Sequence, residues 1–74
     1  MIKAIGVEKL TEYFEFLDEL REKGSTNMFG ATPYLLRKYP GMAPAEARKV
    51  LGAWMDTYSD SLPAEDRADK AIGD

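Results

Sequence analysis

Between positions 7 and 23 the large apolar side chains fall at Val7, Leu10, Tyr13, Phe14, Phe16, Leu17 and Leu20. That i, i+3, i+4, i+7 rhythm belongs to a helix with one greasy side. Gly6 can cap its start, and Ile5 can staple onto Leu10. Arg21 and Lys23 stand in the last turn, where cations suit the helix dipole, and Gly24 supplies the stop. In a chain of 74 residues, whatever follows must cover that apolar side. Few other means of holding the fold are available: with no cysteine and no histidine there is no disulfide and no thiolate or imidazole zinc site. The length allows one domain, whose small core leaves a narrow stability margin that self-association would widen.

The remaining segments also read as helical. Thr32 is placed to cap a short helix over 33–39, with Pro33 at its first position and Pro40-Gly41 ending it. A third helix is expected over 44–59, starting at Pro44 and burying Ala47, Val50, Leu51, Trp54, Met55 and Tyr58. Its cap position holds Ala43, so Glu46 completes only half of a capping box. Gly52 falls on the opposite side of that helix, where it either admits a close neighbour or is merely tolerated. Beyond Ser59 the only large apolar side chains are Leu62 and Ile72, so residues 60–74 read as an acidic tail, a loosely docked or frayed fourth helix. The expected architecture is all-α: a compact three-helix domain over 1–59 with a helix-turn-helix-like second half.

The net charge of −3 is unevenly spread. Residues 7–23 and 60–74 are each acidic by three charges, whereas 24–59 are basic by two. On the first helix Glu8, Glu12, Glu15, Glu19 and Glu22 recur at spacings of 4, 3, 4 and 3, which sets all five on one stripe. Like charges at these spacings repel by about 0.2–0.5 kcal/mol per pair in an isolated helix. Such a stripe is either the solvated outer face of a small helical protein or a carboxylate ridge that docks on a basic partner surface. Tyr34 and Tyr39, on a helix too short to bury both sides, would add an aromatic patch beside it. Most of the other rings (Tyr13, Phe14, Phe16, Phe29, Trp54 and Tyr58) are expected in the core.

A DNA-reading alternative rests on Leu36, Met42, Ala47 and Val50 around Gly41, a spacing similar to that of helix-turn-helix readers. Arg37, Lys38, Arg48 and Lys49 would then face phosphates. Arg37 stands where that motif wants a small residue, and the acidic ends repel DNA. Catalysis finds no footing: Ser25, Ser59 and Ser61 have no imidazole to activate them, and carboxylates on an exposed helix face lack the burial that tunes a general acid. No phosphate loop, dinucleotide fingerprint or calcium loop occurs, and no cofactor is expected. No apolar run approaches the roughly 18 residues of a membrane span, and residues 1–7 do not form a secretory leader, so a cytoplasmic setting is expected.

Thr26-Asn27-Met28-Phe29-Gly30-Ala31, followed by Tyr34-Leu35, Glu46-Ala47-Arg48 and Trp54-Met55, resembles small proteins encoded in bacteriophage genomes. The resemblance covers roughly residues 10–58, and its most distinctive part is the Asn-Met-Phe-Gly-Ala loop. It implies a setting rather than an activity: a small regulator that binds a host protein in the host cytoplasm. Within that loop Met28 and Phe29 read as a plug for the core, or alternatively as a recognition element. The expectation is a non-enzymatic protein-binding domain, with a homodimer or a subunit of a larger assembly as further forms.

Overall fold

The computed structural model describes residues 6–24, 30–59 and 61–73. Four helices follow in order: α1 (Val7–Lys23), α2 (Thr32–Lys38), α3 (Pro44–Thr57) and α4 (Ala64–Gly73). Helix α1 spans the range its periodicity predicts. Gly6 caps it in an extended conformation, and Gly24 closes it at φ 64°, its amide donating to the Arg21 carbonyl at 3.1 Å. Among the described residues that left-handed φ is the one place where the fold asks for a glycine on backbone grounds. Ile5, Met28 and Phe29, and with them the expected staple and plug, lie outside the described residues.

Three helix boundaries differ from expectation. Helix α2 starts one residue early: Ala31 is the cap, its carbonyl accepting from the Tyr34 and Leu35 amides, and Thr32 is already helical. Tyr39 leaves this helix because the proline that follows it disfavours the helical region. A turn closed by the Met42 amide on the Tyr39 carbonyl then leads into α3. Helix α3 stops at Thr57 rather than running to residue 59; Tyr58 turns out at φ −59°, ψ 132°. The corner it makes sends the chain back toward α1.

The tail is the larger correction. Residues 64–73 form a helix that belongs to the same core cluster as the first three, and its interface with α1 is the most extensive in the molecule. The large apolar side chains are not what docks it: Leu62 is exposed and Ile72 only half-buried. The buried face is Ala64, Arg67, Ala68 and Ala71. Alanines at this spacing let two helix axes approach closely, so contact area comes from backbone proximity instead of side-chain bulk. The core is built on Leu10, Phe14 and Leu17 of α1, Leu35 of α2, and Val50, Leu51 and Trp54 of α3. Ala53 and Thr57 of α3 are buried too, and the Thr57 hydroxyl donates to the Ala53 carbonyl at 2.8 Å. Met55 and Tyr58 stay half-buried at its edge. Gly52 has no heavy atom within 4 Å of where a Cβ would stand, so no close neighbour explains it.

Candidate functional site

On the outer side of α1, Glu8, Glu12, Glu15, Glu19 and Glu22 are all exposed. Two cations of the same helix approach the stripe: the Lys9 ammonium lies 3.8 Å from Glu12, and that of Lys23 lies 3.5 Å from Glu19. All four side chains are more than half exposed, so each pair is screened and contributes at most about 0.5 kcal/mol. No described cation pairs with Glu8, Glu15 or Glu22 among the described ion pairs. The stripe therefore keeps most of its negative field.

Along one edge of this stripe runs an aromatic border. Tyr39 packs edge-on against Tyr13 at 4.8 Å between centroids and against Phe16 at 6.0 Å. The Lys9 ammonium stands 5.8 Å from the centroids of both tyrosine rings. Burial, then the nearby charge of Glu12 and a hydrogen bond to it, pushes the Tyr39 phenol from 10.0 up to about 12. Tyr13 is raised as well, first by burial and then by the charges of Glu46 and Glu12. A phenolate is disfavoured where carboxylates already stand. Tyr34 and Tyr39, expected as a free patch, are each half-buried. Next to this border a groove between α1 and α2 is lined by Phe16, Leu20, Tyr34, Arg37 and Lys38. The Arg37 guanidinium lies 5.9 Å from the Tyr34 ring. Arg37, Lys38, Arg48 and Lys49, the phosphate-contact candidates, are all exposed, the first pair closing α2 and the second in the first half of α3.

The residues that sequence reasoning passed over are Asp18 and Arg67. Arg67 is buried at 3% side-chain exposure, and its guanidinium forks onto both Asp18 oxygens, at 3.0 and 2.5 Å. Its Nε donates to the Leu62 carbonyl at 3.0 Å, and the Tyr58 ring lies 5.3 Å from the guanidinium. Asp18 also accepts from the Trp54 indole N–H at 2.8 Å. One carboxylate thus ties α1 to both α3 and α4. A signal was present: Arg67 interrupts an alanine face, and Asp18 falls between the glutamate stripe and the buried Phe14 and Leu17. An open polar cleft beside this node is lined by Asp18, Arg21, Glu22, Tyr58 and Arg67, among others, with the Arg21 guanidinium 4.7 Å from the Tyr58 ring.

Every buried side-chain nitrogen and oxygen among the described residues has a hydrogen-bond partner. Among the same residues no cluster of three or more acidic side chains is arranged to hold a metal ion. Among the described residues no helix is long and apolar enough to cross a membrane. No protein-family model matches the chain, and neither does any curated protein or solved structure.

Proposed function

We propose that this chain is a non-enzymatic binding domain that docks a basic surface of another protein onto the acidic stripe of α1. One observation carries the reading: five exposed carboxylates lie in one line on a helix anchored on its other sides by α3 and α4, and among the described residues two weak, exposed lysine pairs are all that offset them. A helix held in this way presents its charges without paying to order them first, and a line of one sign steers an oppositely charged partner during encounter. The Phe16 and Tyr39 border supplies apolar contact at the stripe's edge. The resemblance to phage-encoded proteins makes a host protein in the host cytoplasm the fitting partner.

The test is capture from host lysate with the wild-type chain and with a Glu12→Lys, Glu15→Lys, Glu19→Lys variant. Loss of the captured proteins in the variant supports the reading; recovery of the same set by both reduces the stripe to a solubilising face. A DNA-reading role for the α2–α3 half draws on the exposure of Arg37, Lys38, Arg48 and Lys49. Retardation of duplex DNA at low salt, abolished by Arg48→Glu with Lys49→Glu, would favour it instead.

A further inference from the structure

The groove between α1 and α2 is lined by two cations of α2, and the glutamate stripe of α1 runs beside it. On the α1 side Glu12 and Glu19 lie at i−4 and i+3 from Phe16, its neighbours on the helix surface, with Glu15 between them on the stripe. On the α2 side stand Arg37 and Lys38, both exposed. The two banks do not neutralise each other: among the described residues the ion pairs are Lys9 with Glu12, Lys23 with Glu19 and Arg67 with Asp18, and none crosses the groove. Between the banks Phe16 and Tyr34 remain half-buried. An apolar strip flanked by charge of both signs, its carboxylates held only by two exposed pairs within α1 among the described residues, is complementary to itself.

We infer that a second copy of this chain occupies the groove, related by a two-fold axis that sets the glutamate bank of each copy against Arg37 and Lys38 of the other. Two-fold pairing repeats every contact, so one charge match in the sequence becomes two in the dimer. Half-exposed Phe16 and Tyr34 meet at the centre, where interfaces concentrate aromatic area. Helix α2 has 7 residues and is about 10 Å long, so the shared face is smaller than the about 800 Å² per partner of a standard interface. The dimer is accordingly weak, and it competes with the basic partner proposed above for the same glutamates. Self-association shields the stripe until that partner displaces the second copy. Only this competition rests on the partner reading; the dimer itself does not.

Sedimentation of the purified full chain decides the matter. The expected mass rises with concentration from 8.3 kDa toward twice that value at low salt, and falls back when salt of about 0.5 M shortens the screening length. Glu15→Lys with Glu19→Lys, and separately Arg37→Glu with Lys38→Glu, each place like charges across the axis and hold the chain monomeric. Combining all four substitutions restores the net charge of −3 and restores association. Circular dichroism confirms that each variant is folded, and Arg37→Glu alone serves if the pair in α2 is not. A wild-type chain that stays monomeric to about 1 mM overturns the inference. So do charge variants that associate like wild type, or a folded quadruple variant that remains monomeric. A monomeric chain that still captures its partner through the stripe sinks the dimer and leaves the proposed function standing.

Discussion

Replacing Arg67 by methionine keeps the aliphatic reach of the side chain and removes its charge. Three hydrogen bonds go with the guanidinium, one to the Leu62 carbonyl and two to Asp18. Breaking a buried pair by deleting one partner costs about 3–5 kcal/mol, much of it from the charge left behind. Here Asp18 is 27% exposed and keeps the Trp54 indole as a donor, so water recovers part of the loss. A cost near the lower end, about 3 kcal/mol, follows. A domain of this length has about 4–11 kcal/mol of stability in total, so that single change takes a large share. At roughly 4–8 °C per kcal/mol, melting followed by far-ultraviolet circular dichroism should drop by at least about 12 °C. Arg67→Lys should recover little, because one ammonium cannot reproduce the fork and the Leu62 contact together. Asp18→Asn in the Arg67→Met background should cost less than in the wild type, since the two residues form one network. A fall of under about 4 °C for Arg67→Met, equivalent to less than 1 kcal/mol, would refute the claim that this node docks α4.

Three smaller effects complete the expectations. Gly52→Ala places a methyl group in open space on an exposed helix interior and should raise stability by about 0.5–1 kcal/mol in a denaturant titration. Ala43→Ser fills an extended cap position that makes no side-chain hydrogen bond, and should add about 1 kcal/mol; an unchanged melting temperature would count against that cap. Tyr39 is held up to about 12 in the folded chain against 10.0 when unfolded, so the fold retains its phenolic proton longer than the unfolded chain does. The stability this provides is complete below pH 10 and is lost as pH rises from there to about 12. Phenolate absorbance should show a late-titrating component that shrinks in Tyr39→Phe, with Tyr13 still titrating late.

How far the sequence could be read depended on what each element uses to dock. Helix α1 was legible to the residue because Leu10, Phe14 and Leu17 are bulky, periodic and bounded by Gly6 and Gly24. The end of α3 was not, since Tyr58 continues the helical spacing while its backbone has already turned away. Helix α4 was misread for a physical reason: counting large apolar side chains undervalues Ala64, Ala68 and Ala71, whose contribution comes from letting α1 approach. Arg67 was passed over because the carboxylate that lets its charge be buried lies on a distant helix. The glutamate stripe was legible as a line and as an exposed one. What cancels it was less legible, because lysine reach depends on rotamers that spacing does not specify.

Asp18 and Arg67 are separated by 49 positions along the chain. Closing so long a loop is entropically dear, so contacts among the nearer helices should form earlier, with the α1–α4 clasp arriving late. The same order runs backwards in the native ensemble. Although its interface with α1 is extensive, α4 docks through alanines rather than large side chains, so its amides should trade hydrogen for deuterium before those of the Leu10, Leu35 and Val50 cluster, which stays intact. The molecule would then carry a built-in weak point on the side of α1 away from its groove.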